Sequence, residues 1–266
     1  SKPVAQVAPK VTTFVLQMTT GTATAGVKLV DIDLNTEDAL FGANSMVATA
    51  IRKFRADNEV SQVDVIPLED NGSAVQATGT YVIAGTATES GTIEVYVGND
   101  ERKYELPVAI GDTATVLGDA LVALITADTK ALVSGVNTTG SVALTAVNGG
   151  TVGNYIGIKY AGEVAGVTST ISAMASGSLD PVLTAIPALL TDRTDVITHI
   201  DYDYDLIVDD LDSKFNSENI ALDGRCLVGA VDSKANLVIV GDAENSQSLV
   251  VIGDKPVDKT TKKGSA

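Results

Sequence analysis

Tryptophan is absent from this chain of 266 residues, and the other large aromatic residues are scarce, with 4 Phe and 7 Tyr. The core must therefore be built mainly from Val, Ala, Thr, Leu and Ile, and β-branched side chains of this kind suit sheets. Hydrophobic residues at 45% and charged residues at 20% lie in the range of globular proteins. We therefore expect a packed, strand-rich fold that needs no disulfide or metal to stabilise it.

Basic residues are too few to balance the acidic ones, since 18 Lys and Arg face 34 Asp and Glu, for a formal net charge of -16. Such a chain repels a phosphate backbone and lacks the counterion release that dominates nucleic-acid affinity. No window approaches the length of about 20 apolar residues that crosses a bilayer. The sequence therefore predicts neither a nucleic-acid partner nor a membrane partner.

Cysteine and histidine each occur once, as Cys226 and His199. Cys226 lies in an apolar run and can form no internal disulfide, so we interpret it as a small buried side chain. Transition-metal sites need clusters of His and Cys, which this sequence lacks. We expect neither a cofactor nor a metal.

A serine hydrolase needs a base beside its Ser, and His199 is the sole histidine. Ser45 lies in the segment 42–48, which faintly resembles the serine segment of subtilisins. In subtilisins, however, the Ser follows the His in the chain, and this sequence has no Gly-x-Ser-x-Gly motif. We therefore predict that Ser45 caps a helix, that His199 is a strand or surface residue, and that the protein is not an enzyme.

The first 70 residues mix strand and helix periodicity. We predict a strand at 11–18, a second extended run at 27–34, a helix at 44–58 and a strand at 62–68. The strand–helix–strand order is typical of a parallel sheet.

After Asp70 the composition shifts to Gly, Thr, Ser and Val, with short strands and frequent turns. A helix is predicted at 115–127, and residues 98–100 predict a hairpin turn. The predicted strands lie at 79–84, 92–97, 102–107, 133–137, 142–147, 155–160 and 167–173. Strands at this spacing favour a β-sandwich-like module.

From Asp180 the α/β pattern returns. We predict a helix that begins at Asp180 with Pro181 in its first position, a helix near 209–216, and strands at 196–200, 226–231 and 248–252. The predicted fold class is α/β, or α+β overall, with a split α/β core domain interrupted by an inserted β-sandwich-like domain. The core domain comprises 1–71 and 177–254, the insert is 72–176, and 255–266 is expected to be a disordered tail.

An acidic stretch at 192–212 holds eight Asp residues against a single Arg. An EF-hand loop counted from Asp201 would need Gly at its sixth position and Glu at its twelfth, where this chain has Leu206 and Asp212. The stretch is interpreted first as a solvated face, with a docking surface for a basic partner or a metal site as alternatives. The candidate docking residues are Asp201, Asp203, Asp205, Asp209 and Asp210.

Gly149, Gly150 and Gly153 form a glycine-rich turn between two predicted strands. A phosphate loop would instead join a strand to a helix and carry its own Lys and Ser or Thr. We therefore predict that these glycines supply positive φ in a β-turn.

Three groups of segments carry a family resemblance by their order and spacing. They are Leu40 to Met46 with 55–58 and 63–68, then 85–98 with 111–114, and finally Gly150 to Asn154 leading into 155–158. With these segments, residues 36–210 resemble the Mu-like tail sheath proteins of contractile phages.

The resemblance implies a structural subunit that polymerises around a tail tube and contracts during infection, with a two-state packing between subunits. Its implied partners are other sheath subunits, the tail tube protein and the baseplate, in a virion tail assembled in the host bacterial cytoplasm. The family has no catalytic residues. Since little remains after Asp254, we expect a protease-resistant fragment with the outer domains, monomeric alone.

The alternative function is a surface or secreted β-sandwich adhesin or binding module. The Thr- and Gly-rich insert and the acidic charge favour it, but it leaves the α/β flanks unexplained. A serine hydrolase is the third hypothesis.

Overall fold

The computed structural model describes residues 11–98, 102–182, 189–190, 194–199, 225–231 and 249–254. The chain divides into two compact units. The first contains the residues up to Glu69 and those from Pro181 to Lys255, and the second contains Asp70–Asp180 with 256–266, which lie outside the described residues. The fold is mixed and rich in strands, as the sequence predicts.

The elements are numbered in chain order. They are β1 (Val11–Gln17), α1 (Glu37–Phe41), α2 (Met46–Asp57), β2 (Val63–Leu68), β3 (Gln76–Gly85), β4 (Gly91–Val97), β5 (Arg102–Val108), α3 (Ala114–Ala127), β6 (Val133–Thr138), β7 (Ser141–Gly149), a 3₁₀ turn (Thr151–Tyr155), β8 (Ile158–Ala161), β9 (Val167–Ala175), β10 (Thr194–His199), β11 (Arg225–Val231) and β12 (Leu249–Asp254).

The first unit holds a five-stranded sheet in the order β12-β11-β10-β1-β2, and every neighbouring pair in it is parallel. The predicted strand–helix–strand unit is confirmed as β1, α2 and β2. Helix α2 buries Val47, Ala48 and Ile51, because these residues recur on one side of the helix. Phe54 of α2 meets Phe14 of β1 edge to face, with ring centroids 5.6 Å apart.

The extended run predicted at 27–34 does not form a regular strand. Leu29 and Val65 exchange both backbone hydrogen bonds, at 2.8 and 2.9 Å, as an isolated antiparallel bridge on the outer side of β2. Asp31 and Asn35 have positive φ, at 52° and 65°. Left-handed residues break the alternation of a strand, so the apolar run there ends as a loop.

The second unit is built from two antiparallel sheets. One has four strands in the order β6-β7-β3-β9, and the other has three in the order β5-β4-β8. The predicted hairpin between β4 and β5 is confirmed by their antiparallel register. The sheets and helix α3 share one core, whose fully buried side chains include Tyr81, Ile83, Leu106, Leu117, Leu121, Leu144 and Ile158.

Two other predictions were wrong in their bounds. The strand predicted at 155–160 is instead the 3₁₀ turn up to Tyr155 followed by β8, because the turn satisfies its own amides locally. The helix predicted from Asp180 does not begin there, since Pro181 and Val182 have no helical conformation. Positions 183–188 and the predicted helix at 209–216 lie outside the described residues.

Candidate functional site

The five candidate docking residues, Asp201, Asp203, Asp205, Asp209 and Asp210, lie outside the described residues. The docking surface therefore stays a prediction. Within the part of the chain that the structure describes, no group of three or more His, Cys, Asp or Glu side chains could hold a metal ion. None of the helices among the described residues has the length and the apolar composition of a membrane span.

Ser45 is a helix cap, as predicted. Its side chain is fully buried, and its hydroxyl oxygen accepts a hydrogen bond of 3.0 Å from the amide of Ala48 in the first turn of α2. Ser45 has extended backbone angles, which are usual for the N-cap residue of a helix. His199 lies at the end of β10, so the prediction of a strand position is also confirmed.

The glycine-rich turn donates hydrogen bonds to two carboxylates, one at the start and one at the end of the second unit. On the first segment, Asp70 accepts a hydrogen bond of 2.6 Å from the amide of Gly149 through Oδ2. The side-chain amide of Asn148 donates to Oδ1 of the same carboxylate at 3.1 Å. Both oxygens of Asp70 are therefore held by the end of β7.

The second segment is held in the same way at Asp180. Its Oδ1 accepts a hydrogen bond from the amide of Thr151, and its Oδ2 accepts one from the hydroxyl of Thr151, both at 2.8 Å. Asn71, next to Asp70, donates its side-chain amide to the backbone carbonyl of Asp180 at 3.3 Å. The two segments are thus joined to one turn and to each other.

Two further contacts complete this arrangement. The side chain of Asn154 donates to the carbonyl of Gly177 at 3.0 Å and accepts from its amide at 2.8 Å. Val75 and Ser178 exchange two backbone hydrogen bonds, at 2.9 and 3.1 Å. We call the set of Asp70, Asn148–Thr151, Asn154, Gly177 and Asp180 the linker clamp.

Glycine is required at three positions of the linker clamp's turn, the first being Gly149, where a Cβ would lie 2.6 Å from the Cβ of Ala74. Gly150 has a φ of 99°, which confirms the predicted positive φ at this residue, and a Cβ there would lie 2.4 Å from Oδ1 of Asp180. The same prediction was wrong for Gly149 and Gly153, which have no positive φ because they belong to β7 and to the 3₁₀ turn. A Cβ on Gly153 would lie 2.8 Å from the Cβ atoms of Ala77 and Ala146. Any larger residue would push the turn away from its carboxylate or from the sheet.

The chemistry of the linker clamp is structural. Carboxylates that accept backbone amides form charge-assisted hydrogen bonds, which are about twice as strong as neutral ones. The amides of Gly149 and Thr151 already donate hydrogen bonds to Asp70 and Asp180, so these donors are not available to a phosphate. The sequence predicted the turn but missed both acidic partners, although each lies close to a predicted domain boundary.

A second charged network joins β5 to the end of α3. Arg102 donates two hydrogen bonds to Asp128, with Nε 2.7 Å from Oδ2, and the Tyr104 hydroxyl donates to Oδ2 at 3.0 Å. Burial alone would raise the pKa of Asp128, but the bonds from Arg102, the Lys130 amide and Tyr104 outweigh it and lower that pKa. Burial and the neighbouring Asp128 raise the pKa of Tyr104.

Tyr81 is the largest fully buried side chain of the second unit. Its hydroxyl lies 2.7 Å from the hydroxyl of Ser169, while the Tyr160 hydroxyl donates to the Ser169 carbonyl at 3.1 Å. Burial raises the pKa of Tyr81 to about 12, despite the opposing effect of the bond to Ser169. The phenol is therefore a neutral core group and has no ionised role at physiological pH.

No protein-family model matches the chain. A curated relative, the Mu-like prophage FluMu tail sheath protein of Haemophilus influenzae, is 32% identical over 170 residues. These residues make up 62% of this chain and 34% of the relative, so the match spans about a third of the relative's length. The crystal structure of a sheath tail protein from Listeria innocua aligns with 84% of this chain and 48% of its own, at a TM-score of 0.28 and 11% identity. The resemblance of this chain to the Mu-like tail sheath proteins is therefore confirmed by sequence over 170 residues.

Proposed function

We propose that this chain is part of a structural subunit of a contractile phage tail sheath, which polymerises around the tail tube and contracts during infection. The observation that carries the proposal is the 32% identity to a tail sheath protein over 62% of the chain. The proposed partners are other sheath subunits, the tail tube protein and the baseplate. The proposed location is the virion tail, after assembly in the cytoplasm of the host bacterium.

In this proposal the two parts 1–71 and 177–254 belong to the sheath core domain, and 72–176 is an inserted outer domain. The linker clamp supports an insert of this kind, because Asp70 and Asp180 are tied to the same turn. A subunit that changes packing partners must keep its own units intact while its interfaces rearrange. The clamp would keep both linkers side by side during that change.

A non-catalytic role fits the surroundings of Ser45, whose buried hydroxyl is occupied by the amide of Ala48. A fluorophosphonate probe is expected to leave wild-type protein unlabelled, as it leaves the variant Ser45→Ala unlabelled. Labelling that is lost in the variant would establish a nucleophilic serine and refute this part of the proposal.

The test of the main function is assembly with the tail tube. Co-expression of the full-length protein with its tail tube protein is expected to give tubes with stacked rings in electron micrographs. Antibodies raised against residues 70–180 should label the tails of purified phage along their length. Labelling of the host surface alone, with no tubes, would contradict a sheath function and favour a surface adhesin.

The acidic candidates are proposed as a docking surface between subunits, because complementary charge sets the register of an interface. Reversal of Asp201, Asp203 and Asp205 to Lys is expected to reduce assembly of the full-length protein. A matched reversal at Asp31, Asp33 and Asp57, which are exposed in the first unit, provides the control. Unchanged assembly of the first variant would refute the docking role.

We further propose that the chain alone is monomeric in dilute solution. Sedimentation velocity at micromolar concentration is expected to give a single species of 27.3 kDa. A stable dimer or ring under those conditions would contradict this proposal.

A further inference from the structure

The dipeptide Asn-Gly occurs twice in the sequence, at Asn71-Gly72 and at Asn148-Gly149. In such a pair the backbone nitrogen of the glycine can attack the side-chain carbon Cγ of the asparagine, because glycine has no Cβ to shield it. A bond forms between this nitrogen and Cγ, the bond from Cγ to Nδ2 breaks, and Nδ2 leaves as ammonia with the proton of the attacking amide. Water then opens the cyclic imide at either carbonyl, which leaves an aspartate or an isoaspartate.

The structure blocks this reaction at Asn148-Gly149. The Gly149 amide donates a hydrogen bond of 2.6 Å to Oδ2 of Asp70, so the attacking nitrogen is already bound to a carboxylate. Asn148 is 8% exposed, and its side-chain amide donates to Oδ1 of the same carboxylate at 3.1 Å. Both residues also belong to strand β7, whose pairing with β3 and β6 fixes the backbone. Attack at this pair would therefore have to break the linker clamp first.

The Gly72 amide, by contrast, is open to solvent. Gly72 is exposed and lies in a tight turn, which the Ala74 amide closes by donating to the Asn71 carbonyl at 2.8 Å. Among the described residues, none accepts a hydrogen bond from the Gly72 amide. A Cβ on Gly72 would meet no atom within 4 Å, and Gly72 has no positive φ. The attacking nitrogen is therefore neither bonded nor covered, and the turn itself does not require glycine.

The side chain of Asn71 is held in a position that favours attack. Its Oδ1 accepts a hydrogen bond of 3.0 Å from the amide of Ser73, so the side chain turns toward the backbone of Gly72. The same bond polarises the side-chain carbonyl and stabilises the negative charge that develops on Oδ1 when Cγ is attacked. Asn71 is only half-buried, so water can reach the imide and open it.

Deamidation at Asn71 removes a bond between the start and the end of the second unit. The atom that leaves as ammonia, Nδ2, is the one that donates to the backbone carbonyl of Asp180 at 3.3 Å. A carboxylate in its place has no donor, and it repels both that carbonyl oxygen and the neighbouring carboxylate of Asp70. It also adds negative charge to a chain whose net charge is already -16. The product therefore destabilises the contacts around the linker clamp.

We propose that Asn71 is a site of spontaneous deamidation, which loosens the linker clamp as the protein ages. The reaction consumes only water and releases ammonia, so it needs no enzyme and no cofactor. It goes beyond the proposed sheath function and does not depend on it, since every contact involved lies between Asp70 and Asp180.

Ageing of the purified chain measures the reaction at both pairs. Native protein is kept for days in mildly alkaline buffer, and peptide mass spectrometry with an isoaspartyl methyltransferase assay quantifies aspartate and isoaspartate at each position. A hydrogen bond to a carboxylate must break before Gly149 can react, which predicts a rate at Asn71 at least about tenfold higher than at Asn148. In concentrated urea, where both pairs are unfolded, the two rates should approach each other. Native rates that are equal, or higher at Asn148, would overturn the proposal.

The variant Gly72→Ala separates the chemistry from the fold. Alanine fits the open space at Gly72, so the melting temperature should match that of wild type, but its Cβ shields the attacking nitrogen. The rate of deamidation at Asn71 is expected to fall at least about tenfold, which a modest rise in the barrier suffices to produce. An unchanged rate in the folded variant would contradict the proposed attack by the Gly72 nitrogen.

The variant Asn71→Asp reproduces the aspartate product. Loss of one net hydrogen bond predicts about fivefold faster hydrogen exchange at the amides of Gly177 and Ser178, which hold the same end of the second unit. Asn35→Asp, at an exposed position of the first unit, adds the same charge and should leave this exchange unchanged. Equal exchange in the two variants would show that deamidation does not loosen the linker clamp and would overturn the proposal.

Discussion

Removal of the Asp180 carboxylate should loosen the linker clamp and destabilise the second unit. The carboxylate accepts two hydrogen bonds of 2.8 Å from Thr151. Hydrogen bonds to charged groups contribute about 1.5–3 kcal/mol each, and the half-buried position of Asp180 favours the lower end. Asp180→Ala is therefore expected to reduce the free energy of unfolding by about 3 kcal/mol.

The variant Asp180→Asn separates charge from geometry. An Asn side chain can accept from the Thr151 amide and donate to its hydroxyl, so both contacts persist as neutral bonds. The expected loss is about 1 kcal/mol. Taking about 4 °C per kcal/mol for a unit of this size, the melting temperature should fall by about 12 °C in the Ala variant and about 4 °C in the Asn variant.

The assay is urea unfolding at neutral pH, with hydrogen exchange at residues 70–78 and 176–180 to locate the change. Thr151→Val removes only the hydroxyl, and the double variant with Asp180→Ala should show coupling of about 1 kcal/mol. Asp33→Ala, an exposed carboxylate of the first unit, is the control and should change stability by less than about 0.5 kcal/mol. An Asp180→Ala variant as stable as this control would refute the clamp.

Three further predictions concern the core of the second unit. Leu117→Ala, at a buried position of α3, should reduce the free energy of unfolding by about 2–5 kcal/mol in a denaturant titration. The neighbouring Val116 is half exposed, so Val116→Ala should reduce it by less than about 1 kcal/mol. Equal reductions would show that α3 does not bury the Leu117 face. Asp128→Asn should lower the free energy of unfolding at neutral pH. Its difference from wild type should shrink as the pH falls below about 4, because the lowered pKa of Asp128 contributes stability only while the unfolded carboxyl is ionised. A difference in the free energy of unfolding that does not change with pH would contradict the bond to Arg102. Tyr81 should titrate near pH 12 in ultraviolet absorbance, and this step should be missing in Tyr81→Phe. The stability that Tyr81 contributes should fall between about pH 10 and 12, because only the unfolded phenol ionises in that range. A titration near pH 10 would show that Tyr81 is not buried.

Local periodicity explains which elements could be predicted from the sequence. Helix α2 and strand β3 were predicted within a few residues, because apolar spacing and caps act over one or two turns. Helix α1 was missed because its five residues are too few for a period and its cap makes no side-chain hydrogen bond. At 27–34, the left-handed residue Asp31, followed by a second one at Asn35, outweighed an apolar pattern that favours a strand.

The sequence by itself determined the strand-rich composition, the Ser45 cap, the need for glycine at the 149–153 turn and the resemblance to tail sheath proteins. Each depends on neighbouring residues or on motifs in order along the chain. Only the tertiary structure decided that this turn donates hydrogen bonds to Asp70 and Asp180, which lie 79 residues from Gly149 and 29 residues from Thr151 along the chain. It also decided the order of the strands within each sheet, because that order depends on which distant segments pair, and no local pattern encodes that choice.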